Sequence, residues 1–109
     1  SEKPIGKLKD GLEKLRFDLM AEENGEYLEA AQKGDVVEVA DALGDMLYIL
    51  CGTIIEHGMQ DVIDEVFEEI HRSNLSKLDE NGNPIYREDG KVIKGPNYFP
   101  PNLKQFFEK

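Results

Sequence analysis

Cysteine is nearly absent from this chain: Cys51 is the single one, so no internal disulfide can form, and a reducing, cytoplasmic setting fits best. Lying in an apolar stretch, Cys51 reads as a small buried hydrophobe. Basic residues are also scarce, 13 against 23 acidic ones, for a net charge of -10 and a pI of about 4.6. That balance argues against binding a bare nucleic-acid backbone, which wants clustered Lys and Arg; a polyanionic ligand would need a metal to mediate it. Long apolar runs are missing as well. The oiliest stretch, Met46 to Ile55, includes Gly52 and Thr53 and is far too short for a bilayer core of about 30 Å, so no membrane span is expected. Nothing reads as a signal peptide. Ser1 stands where an initiator Met would, which leaves processing and missing upstream residues both open. There is no internal repeat and no low-complexity segment.

What is present is a helical pattern. The 109 residues suffice for one domain with a single core, small enough that neighbouring subunits would help stabilise it. Leu8, Leu12, Leu15, Leu19, Tyr27 and Ala30 recur at helical spacing, predicting a first helix from about residue 8 to Lys33, stopped by Gly34. Asp35, with Glu38 three residues on, reads as the N-cap of a second helix over about 36–57, ended by Gly58, with His57 suiting the helix dipole. Val36, Leu43, Leu47, Leu50 and Ile54 form an apolar stripe on this helix, while Tyr48, Ile49 and Ile55 point elsewhere, so the helix should be enclosed on most sides. Three short helices cannot enclose it, and a homodimer or homotetramer is expected. A third helix should cover about 60–73, with Val62, Ile63, Val66, Phe67 and Ile70 inward. Beyond it, Asn81-Gly82 and Asp89-Gly90 mark turns around a possible small hairpin, and Asn102 to Glu108 suggests a last short helix. The fold class is therefore all-α, a helical bundle assembled by oligomerisation, with an irregular tail over 74–109.

Acids occupy positions where such helices should be oily. Glu23 and Glu26 project along the stripe of Leu12, Leu15, Leu19 and Ala30, with Glu22 slightly rotated from them; Glu38, Asp41 and Asp45, at i, i+3 and i+7, share one side of the second helix. Gathering several like charges in a core is costly unless they are protonated or held by cations. A shared divalent metal is the simplest remedy, and all-oxygen ligation selects Mg²⁺, with Mn²⁺ as the alternative. Such an ion invites phosphate, and Glu22 is then placed to orient or deprotonate an attacking water. Glu29, Glu56, Glu65 and Glu68 read instead as solvated charge. Glu68 and His71 match half of a di-iron helical signature, but only one such pair exists, against the two required. Tyr48 at helical spacing reads as core; Tyr98, in a Pro-flanked loop, is the better candidate to stack on a base.

The segments Glu22-Glu23-Asn24-Gly25-Glu26 and Asp41-Ala42-Leu43-Gly44-Asp45-Met46 resemble the EExxE and ExxD signature of the all-α nucleoside triphosphate pyrophosphohydrolases: MazG-like proteins, phosphoribosyl-ATP pyrophosphohydrolase and the dimeric dUTPases. The segment from Arg72 through Lys77, then Asp89-Gly90-Lys91 and Lys94 to Pro101, is similar to the small MazG-like proteins labelled "Cof-like". The likeness runs from about residue 12 to 103. It implies Mg²⁺-dependent cleavage between the α- and β-phosphates of a nucleotide, with Glu23 and Glu26 as metal ligands and Glu22 activating water. The second motif departs from the pattern. If Asp45 is its aspartate, Ala42 stands where glutamate is expected; if Glu38 and Asp41 are the pair, Asp45 is an additional acid. All three are retained as ligands. Asn74 and Lys77 resemble the family's phosphate-side contacts, and Arg72, Lys91 and Lys94 could act similarly. Two other readings stand beside this one: a non-catalytic acidic interaction module, and a nucleotide-binding relative with poor turnover. Base and sugar choice are not legible.

Overall fold

The computed structural model describes residues 3–108, which fall into two compact units, residues up to 60 and those from 61 onward. It is mostly helical, as the periodicity predicts, with one two-stranded sheet.

The first unit is a helical hairpin. Lys9–Gly11 form a single 3-10 turn, and α1 runs Leu12–Lys33. The helix starts later than the apolar spacing predicts because Asp10 (φ 54°) and Gly11 (φ 71°) are both left-handed, which interrupts helical backbone. Leu8 is buried beside that break, its N–H donating to the Glu13 carboxylate at 2.7 Å. At the other end Gly34 (φ 71°) closes α1, its N–H directed at the Ala30 and Ala31 carbonyls, so the chain turns on glycine without a Cβ penalty. Asp35 then caps α2, Val36–Glu56, accepting from the Glu38 N–H at 3.1 Å as the cap pattern predicts. Gly58 (φ 70°) ends that helix, and His57 Nδ1 bonds the Ile5 carbonyl at 2.8 Å.

α1 and α2 pack on each other with only Gly34 and Asp35 between them, and are therefore antiparallel. Arg16 fixes the register: its Nε donates to Thr53 Oγ1 at 3.0 Å and its Nη2 to the Ile49 carbonyl at 2.8 Å. The seam on α1 is Leu12, Arg16, Leu19, Met20, Glu23, Tyr27 and Ala30; on α2 it is Val39, Ala42, Met46, Ile49 and Thr53. Ala30 and Ala42 are the buried residues of the two helices.

The apolar stripe of α2 faces away from α1. Leu43, Leu47 and Leu50 are 50%, 62% and 46% exposed, and Val36 more so. The helix presents its oiliest face outward, and a smaller face of alanine and β-branched residues meets α1. Cys51, expected to be buried, is exposed on α2.

In the second unit α3 spans Ile63–Leu75, with Val66, Glu69 and Ser73 buried; Phe67 and Ile70, expected inward, are exposed. The buried polar pair holds the tail. The Glu69 carboxylate accepts from Arg72 and from the Asn102 N–H at 2.8 Å, and Ser73 Oγ donates to the Phe99 carbonyl at 2.8 Å. Arg72 and Asn102 hold Glu69 below the usual carboxylate range. Strands β1 (Ile85–Tyr86) and β2 (Val92–Ile93) pair antiparallel, Ile85 opposite Ile93 and Tyr86 opposite Val92. The expected last helix is only a 3-10 turn, Lys104–Phe106, in keeping with the high cost of nucleating so short a segment. No described helix is long and apolar enough to cross a membrane.

Candidate metal centre

The antiparallel register of α1 and α2 brings the two acidic motifs opposite each other. Arg16 meets residues 49 and 53, so seven residues further along α1 Glu23 faces Asp45, and Glu26 faces Asp41 and Ala42. The electrostatics agree. Glu23 has its carboxyl raised from 4.5 to about 7, first by a hydrogen bond with Glu26, then by desolvation, then by the negative charges of Glu26, Asp45 and Glu22. That hydrogen bond exists only while one of the two carboxyls carries a proton. The buried Oε2 of Glu23 has no hydrogen-bond partner.

A second group continues the site. Glu26, Glu29, Lys33, Glu38, Asp41 and Ala42 line one cavity of about 220 Å³. Glu26 thus joins the Glu23–Asp45 end to the Glu38–Asp41 end. Both versions of the second motif face α1, because Asp41 and Asp45 are four residues apart on one side of α2. Ala42 sits between them, buried against α1, where a glutamate would have to displace the seam.

The donor set suits a hard divalent cation. It is all carboxylate oxygen, one oxygen is sealed from water without a partner, and the mutual repulsion that raises Glu23 is what a cation relieves. Among the described residues no three Asp, Glu, His or Cys side chains are already drawn into a set that could hold an ion. Glu22, the proposed water-activating group, is exposed beside Glu23.

The basic residues singled out from the sequence lie in the second unit. Lys77, Lys91 and Lys94 share one pocket, together with Arg87, which the sequence reading passed over. Tyr98 lies beneath Lys94, with Nζ 4.9 Å from the ring centroid. Arg72 is placed elsewhere: it pairs with Glu69 at 3.0 Å, stacks over Phe99 at 4.5 Å, and lines a different cavity of about 580 Å³ with Glu68, His71, Leu75 and Phe106. Asn74 is exposed near the end of α3. Glu29, read from the sequence as solvated charge, lines the acidic cavity of α1 and α2 with Lys33; their i, i+4 acid-base spacing on α1 was the available signal.

A viral protein described as "Uncharacterized protein L479", from Acanthamoeba polyphaga mimivirus, is 32% identical over 81 residues, 74% of this chain. The chain spans 29% of that relative's length. The model of the family described as phosphoribosyl-ATP pyrophosphohydrolase matches residues 1–74, which includes both acidic motifs and ends at Asn74. The chain therefore belongs to the phosphoribosyl-ATP pyrophosphohydrolase family, a family of hydrolases that split phosphoanhydrides.

Proposed function

We propose that the protein is a metal-dependent nucleoside triphosphate pyrophosphohydrolase, converting a (deoxy)nucleotide to its monophosphate and pyrophosphate. The observation that supports this most is the partnerless Glu23 oxygen amid Glu22, Glu26 and Asp45 on the paired motifs. Glu23, Glu26 and Asp45, with Asp41 and Glu38, would hold Mg²⁺ or Mn²⁺. Bound there, the ion would supply charge neutralisation for the phosphates and lower the pKa of a water. Glu22 accepts the proton of the water that attacks the α-phosphorus; the water oxygen forms the new P–O bond as the α–β bridging bond breaks and the electron pair leaves with pyrophosphate. Lys77, Lys91 and Lys94, with Asn74 and Tyr98, are read as substrate contacts. A nucleoside triphosphate is preferred over phosphoribosyl-ATP because the basic tail beyond Asn74 resembles the "Cof-like" branch.

The active form is read as a homodimer or homotetramer in the cytoplasm. Among the described residues only Leu8, Ala30, Ala42 and Val66 form the buried apolar core, too little for an independent fold of this size. A second copy covering Val36, Leu43, Leu47 and Leu50 would supply the rest.

A screen of nucleotides with Mg²⁺, resolving products by chromatography, tests the reading. Monophosphate and pyrophosphate should appear, should vanish with chelator, and should be lost in Glu23→Ala and Glu26→Ala together with metal uptake. Release of inorganic phosphate with a diphosphate product would refute the bond assignment. Metal uptake without turnover of any nucleotide would leave a binding protein, and neither uptake nor turnover an acidic interaction module.

A further inference from the structure

Glycine inside a helix costs stability relative to alanine, so a glycine there has to be accounted for by what it makes room for. α1 and α2 contain Gly25, Gly44 and Gly52. At Gly25 and Gly44 an added Cβ would meet nothing within 4 Å, but at Gly52 it would lie 2.6 Å from Nη2 of Arg16 and 3.5 Å from its Cζ. Gly52 is therefore a notch in α2 that seats a guanidinium from α1. The seat has a direction. Thr53 Oγ1 donates to the Ile49 carbonyl at 2.9 Å, which leaves its lone pairs to accept from Arg16 Nε at 3.0 Å, and Arg16 Nη2 donates to the same Ile49 carbonyl at 2.8 Å. Among the described residues no ion pair includes Arg16, so this half-buried cation is held as a rigid fork on neutral acceptors.

Two converging hydrogen bonds and a notch resist both a slide of α1 along α2 and a change in their separation. Those two movements also decide how far Glu23 stands from Asp45. Glu23 lies two turns beyond Arg16 on the same face of α1, about 10 Å along the axis, and Asp45 one turn from Ile49. A slide by a single residue would shift the facing carboxylates by about 1.5 Å, several times the difference between the Mg²⁺–oxygen distance of about 2.0–2.1 Å and the Ca²⁺–oxygen distance of about 2.3–2.6 Å. Donor type alone does not separate these ions, because both take carboxylate oxygen and Ca²⁺ tolerates looser geometry. We propose that Arg16, seated in the Gly52 notch, is a positioning residue that sizes the carboxylate centre for a small divalent cation. This rests on the metal centre proposed above and adds to it the element that sets its dimensions.

The test is calorimetric titration of the full chain with Mg²⁺ and, separately, with Ca²⁺, read as the ratio of the two affinities. Arg16→Ala and Gly52→Ala should each weaken Mg²⁺ binding about 10- to 100-fold, the range for losing an outer contact that orients metal ligands. Ca²⁺ binding should change less, so the ratio falls in both. Gly52→Ala separates positioning from stability. The atom it displaces is the end of a flexible side chain, and alanine improves helix propensity, so its melting temperature in EDTA should hold or rise while Mg²⁺ affinity drops. Leu8→Ala removes a buried side chain from the same unit and leaves Arg16, Gly52 and Thr53 in place; it should lower the melting temperature with the ratio unchanged. Thr53→Ser keeps the hydroxyl acceptor and should keep the wild-type ratio, which Thr53→Val should lose. An unchanged ratio in both Arg16→Ala and Gly52→Ala, or a ratio that follows melting temperature across all the variants, would overturn the positioning role and leave the metal centre standing. A wild-type chain that takes up neither ion would overturn the metal centre and this role with it. The expected ratios without hydrolysis of any nucleotide would refute the enzymatic reading alone.

Discussion

Glu23 gives the sharpest test, because its proton and a metal ion compete for the same oxygens. Glu26, desolvation, and the charges of Asp45 and Glu22 push the Glu23 carboxyl up to about 7. At pH 6 the site is about nine-tenths protonated, and at pH 8 about one-tenth, by the one-unit distance on either side. Uptake of Mg²⁺ or Mn²⁺ should therefore expel close to one proton at pH 6 and about a tenth of one at pH 8. Apparent metal affinity should fall about tenfold per unit below pH 7 and level off above it. Calorimetry in two buffers of different ionisation enthalpy measures the proton count directly. Stability carries the matching sign. The native pKa lies above the unfolded value of 4.5, so the native state holds the extra proton, and its stabilisation is complete below about pH 4.5 and lost as pH rises through 7. The melting temperature in EDTA should show that loss between pH 5 and 8, and Glu23→Gln should flatten it. Equal proton release at pH 6 and 8, or a wild-type pH dependence that survives in Glu23→Gln, would refute the account of the site.

Other consequences follow from the helical hairpin and its open face. Ala42→Leu forces a larger side chain into the α1–α2 seam and should cost about 1–3 kcal/mol in chemical denaturation, whereas the same exchange at exposed Ala40 should cost far less. Removing the cap with Asp35→Ala should cost about 1 kcal/mol, measured the same way, since the Glu38 N–H loses its acceptor. Truncating Arg16→Ala removes donors to Thr53 and Ile49 across the hairpin and should lower stability by about 1–3 kcal/mol, with no change in oligomeric state. Leu47→Glu should shift the species seen by analytical ultracentrifugation toward monomer; an unchanged assembly would show that another surface joins the subunits.

Local chemistry made much of this legible beforehand. Gly34 and Asp35 announced the turn between helices because a left-handed stop and an N-cap act within a few residues, and both appear as read. The hairpin around Asp89-Gly90 was visible for the same reason. The phase of Glu23 and Asp45 on their helices needed only helical periodicity. Burial of single residues was less legible: Phe67, Ile70 and Cys51, inward by pattern, are exposed. Leu43, Leu47 and Leu50 form the stronger apolar stripe, but helix packing favoured the close approach that Ala42 allows, so the larger residues remain outside. Glu69 and Ser73 are buried because the tail folds back to place the Asn102 N–H and the Phe99 carbonyl against them.

By itself the sequence determined the helical class, the helix ends and the two acidic motifs, since capping, turn and periodicity effects reach only a few residues. The tertiary structure decided which acids meet and which cations share a pocket. Those depend on the α1–α2 register set through Arg16 and on the approach of Gly95 to the end of α3, contacts between residues far apart in the chain that no local pattern encodes.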